Sequence, residues 1–177
     1  MSADRTVFAW RRIAAWAVDW LIIGVYAAAL VPLGLWLDGR SVRLSLLGWN
    51  AVSFLVLVVP ATVWATAWEA TASGATPGKQ LLRLRVRRLQ GGRLGWRRAV
   101  VRNAIKIALP WELGHTAAFL LSDPHSGRTS GLIGSACAFL ACALAAVYVA
   151  ALFTGYGRPP YDRVAGTEVT NRGAESD

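Results

Sequence analysis

Four apolar stretches, residues 13–37, 44–69, 99–121 and 130–154, are each long enough to cross a bilayer as a helix. At ~1.5 Å of rise per residue, about 20 residues span the roughly 30 Å of hydrocarbon. With 55% of its 177 residues hydrophobic and only 16% charged, the chain has little left from which to build a soluble core. In lipid every backbone polar group must be satisfied within the protein, which leaves helices and closed barrels, and stretches this long are helical rather than strand-sized. The expected fold class is therefore an all-α membrane protein of four transmembrane helices. The expected domain covers residues 1–170, with 171–177 as a disordered polar tail. The first stretch is longer than the apolar region of a cleaved leader and carries an acid, so it is expected to be retained.

Charge placement orients the helices. Of the 19 basic residues, sixteen lie before the first stretch, between or just within the second and third, and after the fourth. The remaining three, Arg40, Arg43 and Arg128, belong to the other two loops. This bias predicts that both termini and the central basic loop, residues 71–98, are cytoplasmic. The net charge of +9 is thus read as topogenic, with anionic lipid headgroups at the basic loop as the expected partner and no nucleic acid.

Within the central loop, Pro77 and Gly78 mark a turn. Residues 82–87 then alternate apolar and basic, which is a strand period. Gly91 and Gly92 suggest a hairpin returning at 93–96, with 164–169 as a third strand. The result is a short interfacial β-ribbon, apolar side toward the membrane and arginines toward headgroups. Pro60, inside the second stretch, predicts a kink whose freed carbonyl is satisfied by a neighbour.

Asp19, inside the first stretch, is the most informative side chain. A carboxylate there costs about 2.5 to 3.5 kcal/mol on insertion scales, so it faces protein and has a partner. Arg12 shares its stripe but is ~10 Å away along the helix, too far to pair. Lys106 and Arg102, with Asn103 beside the latter, come to a similar depth from the third stretch. A buried cluster of Asp19 with Lys106 or Arg102 is expected, acting either as a structural ion pair or as a solute or proton site. Glu112 and His115, three residues apart, form a second polar pair near mid-membrane, either hydrogen-bonded to each other or a proton relay or cation contact.

Catalytic signatures are missing. The segment from Gly74 to Lys79 has too few residues between its glycines for a phosphate loop, and Gln80 stands where a magnesium-binding hydroxyl is needed. No nucleophile elbow or zinc-type spacing occurs. The expectation is no enzyme activity, no cofactor and no metal. Cys137 and Cys142 lie five apart on one helix, cannot bridge each other, and are expected to be buried packing residues. Gly131, Ser135 and Ala138 begin a small-residue face suited to helix association.

Several of these pieces together resemble the RDD family of small bacterial membrane proteins, named for one arginine and two aspartates. Arg12 and Asp19 match the first two. Asp162, in the segment Tyr161-Asp162-Arg163-Val164-Ala165-Gly166-Thr167-Glu168-Val169, matches the third. Thr76-Pro77-Gly78-Lys79, followed by Leu81, Leu82, Leu84 and Val86, resembles the family's central loop, and Arg102-Asn103 the polar start of its next helix. The resemblance implies a helical domain of the bacterial cytoplasmic membrane, with transport of ions or small ligands a suggested role. The Pro110 to His115 segment belongs to only some members. Asp162, on the cytoplasmic side, is expected to approach Arg12, Arg102 or the basic ribbon.

Two functional expectations follow. One is a transporter, or a subunit of one, for a proton, cation or small solute, working as a homo-oligomer or with a membrane partner because four short helices enclose little volume. The rival is a scaffold that binds anionic lipid or another membrane protein and moves nothing.

Overall fold

The computed structural model describes residues 3–40, 44–122 and 127–173. Arg43 and the last four residues of the tail lie outside them. Helix α1 runs over Ala3–Gly39. Next come α2 (Leu46–Ser53), a π-helical turn at Phe54–Val58, and α3 (Val59–Ala70). A short helix α4 (Pro77–Leu81) and strand β1 (Leu84–Arg88) make up the structured part of the central loop. Then follow α5 (Trp96–Asn103), a second π turn at Ala104–Ala108, and α6 (Leu109–Ser122). Helix α7 (Arg128–Phe153), helix α8 (Pro160–Ala165) and strand β2 (Thr167–Asn171) complete the chain.

Among the described residues, three helical segments are long and apolar enough to cross a membrane: Asp4–Leu37, Leu46–Ala70 and Arg128–Phe153. Their outward faces carry exposed Leu21, Val25, Leu35, Leu47, Leu55 and Phe139. So much contiguous apolar surface fits a lipid environment. The segment from α5 to α6 is more polar than these three, carrying Arg97, Arg98, Arg102, Lys106 and Glu112. Helix α1 is longer than the expected span because its helical turns continue outward through Arg12 to Ala3.

Both π turns immediately precede a residue followed by proline. Proline has no N–H to donate, and its ring crowds the carbonyl four residues back, so the hydrogen-bond ladder slips by one. Val59 donates to Phe54 and Leu109 to Ala104, each five residues back, just before Pro60 and Pro110. In each case a tyrosine from another helix donates to a carbonyl on the disturbed turn. Tyr26 bonds the Val56 oxygen at 2.5 Å, and Tyr148 bonds the Ile105 oxygen at 2.8 Å.

The ribbon differs from its expected form. Strand β1 pairs antiparallel with β2, from Leu84 opposite Asn171 to Arg88 opposite Thr167. Residues 93–95 form no strand, because Gly95 already stands at the N-cap of α5. The tail thus supplies the second strand, which ends at Asn171. The ribbon's apolar side packs on the protein: Leu84, Val86 and Val169 join Ala15, Leu94 and Ala99 in a core. Cys137 is half-buried and Cys142 exposed, so neither is the buried packing residue expected.

Candidate functional site

Six charged side chains, all buried, form an unbroken chain of alternating sign that starts and ends on α1. Asp19 lies 3.8 Å from the Lys79 ammonium. Lys79 donates to Glu69 at 2.9 Å. Glu69 accepts two bonds from Arg102 Nη1, at 2.5 and 2.6 Å, and one from Asn103 at 3.0 Å. Arg102 Nε donates to Asp162 at 2.8 Å, and Asp162 takes Arg12 at 2.7 Å on its other oxygen. Arg12 also donates to the Gly157 carbonyl at 2.5 Å. Three acids and three bases leave the ring neutral, which is the condition under which buried charges are tolerated.

Each element contributes through its local build. Helix α1 presents Arg12 and Asp19 seven residues apart on one stripe, and the other four charges bridge the gap that these two cannot close directly. Glu69 stands near the end of α3, Arg102 near the end of α5, and Lys79 within α4. Asp162 is in α8, which Gly166 ends in a left-handed conformation at φ 62° so that the chain can turn directly into β2. Tyr161 lies beneath Arg102, its ring centroid 5.3 Å from the guanidinium carbon, and meets Tyr148 edge-on at 5.0 Å.

Asp19 also acts as a cap. It accepts the Thr76 hydroxyl at 2.6 Å and the Gly78 amide at 2.8 Å, at the start of α4. Thr76 in turn accepts from Lys79 at 3.0 Å, so its hydroxyl links the base to the acid. The approach is so close that a Cβ at Gly78 would collide with the Ala15 carbonyl oxygen and lie 2.8 Å from an Asp19 oxygen. The glycine of the Thr-Pro-Gly-Lys segment is thus required by contact with α1.

Burial alone would push the Asp162 carboxyl up, but the Arg102 and Arg12 guanidiniums outweigh it and hold the group below the ordinary carboxylate range. Burial, reinforced by the Asp162 charge, pushes the Tyr161 phenol up, so it stays protonated.

The expected pairing of Asp19 with Lys106 or Arg102 is not formed. Arg102 is committed to Glu69 and Asp162, and Asp19 turns to the α4 loop, which sequence spacing cannot bring to it. Lys106 instead lies over Trp16, 5.5 Å from the ring centroid, with no ion pair among the described residues. It helps line an open cavity of about 450 Å³ bordered by α1, α3, α6 and α7. The wall is mostly apolar, with Trp16, Trp20, Trp64 and Trp111, and Asp19 at its edge.

Glu112 and His115 do not bond each other. Glu112 accepts from Asn50 at 2.7 Å and from Thr116 at 3.4 Å, while His115 stacks on Trp111 at 5.9 Å. Sequence reasoning missed the parts played by Glu69 and Lys79. A balance of charge was the available signal: Glu69 and Lys79 add one acid and one base to Arg12, Arg102 and the two aspartates and keep the set neutral.

These features define a small helical membrane domain whose central loop and tail are fastened to the helices by one closed ring of charge. The RDD family model matches residues 6–169, and the chain belongs to the RDD family. Arg12, Asp19 and Asp162, the three residues that resemble the family's namesakes, are members of the ring. No curated protein and no solved structure matches this chain.

Proposed function

We propose that the protein carries a small solute across the bacterial cytoplasmic membrane, alone or as a subunit, and that the tryptophan-lined cavity is the solute site. The supporting observation is that cavity: about 450 Å³, within the range of small-molecule sites, with few polar groups among aromatic walls. In this reading the segment from α5 to α6 is the fourth crossing, both termini are cytoplasmic, and the exposed arginines of the ribbon meet anionic headgroups. No chemical step is involved.

Of the three cargoes considered, the geometry favours a solute over a proton or a cation at Asp19. The Asp19 oxygens are already occupied by Thr76, Gly78 and Lys79. Lys106 has no carboxylate paired to it among the described residues and presents a hydrogen-bond donor to the cavity, which favours a solute with an accepting, anionic end over a cation. The test is uptake of benzenesulfonate, permanently anionic, into proteoliposomes, against phenyltrimethylammonium. Ala145→Trp, which fills the cavity without touching the ring, should abolish sulfonate uptake. Equal uptake by wild type, the filled variant and protein-free vesicles rejects the proposal.

The scaffold reading rests on the ring itself, in which each of the six charges has an ion-pair partner and all are buried, as in a structural latch. It predicts no protein-dependent uptake of any probe, and loss of abundance when a ring residue is changed.

A further inference from the structure

The tryptophan-lined cavity is closed toward the central loop, where its lining residues Asp19 and Thr76 are both buried. It opens between α1 and α7 instead. These helices meet where Trp10 stands edge-on to Phe153, their ring centroids 5.7 Å apart. Further along, Trp20 on α1 and Cys142, Ala145 and Val149 on α7 line the cavity and are exposed. All four belong to helical segments long and apolar enough to cross a membrane, and none carries a charge. A mouth of this composition suits hydrocarbon, where charged side chains are costly.

A second apolar groove, of about 310 Å³, continues along α1. Ile23 and Trp64 line both spaces, so the two meet at these side chains. Beyond them the groove passes Pro60 and Ala61 and reaches Tyr26. The polar end of this path is Lys106, 5.5 Å from the centroid of the Trp16 ring. Lys106 is half-buried and reaches the cavity, so its amino group offers N–H donors there.

The length of the path is informative. From Trp16 to Tyr26 is ten residues, about 15 Å of helix rise. One leaflet, half of the roughly 30 Å hydrocarbon core, is also about 15 Å deep. The path therefore matches one acyl chain, with a hydrogen-bond donor at one end and apolar walls along the rest. A short water-soluble anion would use the Lys106 end alone and would have to cross lipid to reach the mouth.

We propose that the occupant of this site is a long-chain carboxylate drawn from the bilayer, its head on Lys106 and its chain laid along α1 as far as Tyr26. This names the class of solute and rests on the reading of the cavity as a solute site. The groove to Tyr26 is what it adds.

A photoreactive fatty acid tests it. Full-length protein in phosphatidylcholine liposomes is irradiated with palmitate bearing a diazirine near its terminal carbon, and the adducts are mapped by peptide mass spectrometry. They should concentrate on the groove wall, at Ile22, Tyr26 or Ala61, and excess unlabelled palmitate should reduce them at least tenfold. An alkyltrimethylammonium of equal length with the same diazirine should give no competable adduct there. Lys106→Met, which removes the donor, and Ile22→Trp, which fills the groove from an exposed position outside the cavity, should each lower the competable adducts at least tenfold. Adducts spread over the lipid-facing side chains, insensitive to palmitate or unchanged in either variant, overturn the proposal. Benzenesulfonate uptake by the wild type without competable adducts also overturns it and leaves the cavity a site for small solutes. Competable adducts without uptake of either probe support this occupant and reject transport.

Discussion

Arg12 and Asp162, 150 residues apart in sequence, meet at 2.7 Å in a contact with almost no exposure to solvent. This pair closes the ring, beside the contact of Tyr161 with Trp16 on α1. Asp162→Asn leaves two guanidiniums facing a neutral amide, and breaking one partner out of a buried ionic group costs about 3–5 kcal/mol. The expected result is a large fall in the melting temperature of the purified protein in mild detergent. Combining Arg12→Gln with Asp162→Asn should cost less than the two single changes summed, since residues in one network couple. Strict additivity would show that the contact does not hold the tail.

Acid should act on the same group, and the sign is fixed. The Asp162 carboxyl is held below its ordinary value, since the Arg102 and Arg12 charges outweigh the effect of burial. Stability from such a group is fully present above its unfolded-state value of about 3.9 and is lost as the pH falls through the lower folded value. Amide exchange of β2, corrected for its intrinsic pH dependence, should therefore be unchanged between pH ~7 and ~5 and accelerate only below ~4. Release of the tail between neutrality and the higher of these two values would contradict the assignment.

The contact between Gly78 and α1 makes a steric prediction. A methyl group there meets the Ala15 carbonyl and the Asp19 carboxylate at once, so the loop must move away or α1 must bend. Overpacking of this kind costs about 1–3 kcal/mol, and here it also strains the Asp19 cap. Gly78→Ala should lower the melting temperature and expose the segment from Thr76 to Leu81 to proteolysis. The same change at Gly95, where nothing lies near an added Cβ, should have little effect.

Both prolines leave a carbonyl that a tyrosine hydroxyl fills, which allows a matched comparison. Interhelical hydrogen bonds in membrane proteins average about 0.6 kcal/mol and reach about 1.7. Tyr148 is almost fully buried and Tyr26 over a third exposed. Tyr148→Phe should therefore destabilise more than Tyr26→Phe, both within that range, by thermal melting in detergent. A larger loss at Tyr26 would mean that the hydroxyl to Val56 matters for a reason other than burial.

The parts of this fold legible in the sequence are those set by local pattern. Apolar length marked the three clear membrane helices, and the alternation from Leu82 to Arg87 marked β1. What spacing could not give is which segment crosses back to meet which. The partner of β1 lies about 80 residues downstream because Val169 packs into the core with Ala15, Leu84 and Val86, which outweighs the hairpin signal of Gly91 and Gly92. Among the site residues, Arg12, Asp19, Arg102 and Asn103 were recognisable as polar groups in or at the mouths of apolar stretches and Asp162 by family resemblance, and the five gather in one place. The approach of Asp162 to Arg12 and Arg102 was readable too, whereas the partners of Asp19 were not, because depth along two helices says nothing of a loop that reinserts between them.

That reinsertion separates two accounts of Asp19. Depth along the helices pairs it with Lys106, whereas the structure gives it Thr76, Gly78 and Lys79 and leaves Lys106 over Trp16. Asp19→Asn keeps an oxygen for the Gly78 amide and leaves Lys79 with Glu69, so its cost should be that of one charged hydrogen bond, about 1.5–3 kcal/mol, below that of Asp162→Asn. Lys79→Met should couple with Asp19→Asn, while Lys106→Met should add to it independently, because residues without shared partners behave additively. Melting temperatures of the three single and two double variants decide between the accounts. Coupling of Asp19 to Lys106 with none to Lys79 would mean that the acid pairs across the cavity, and that the loop from Thr76 to Lys79 is not what holds it.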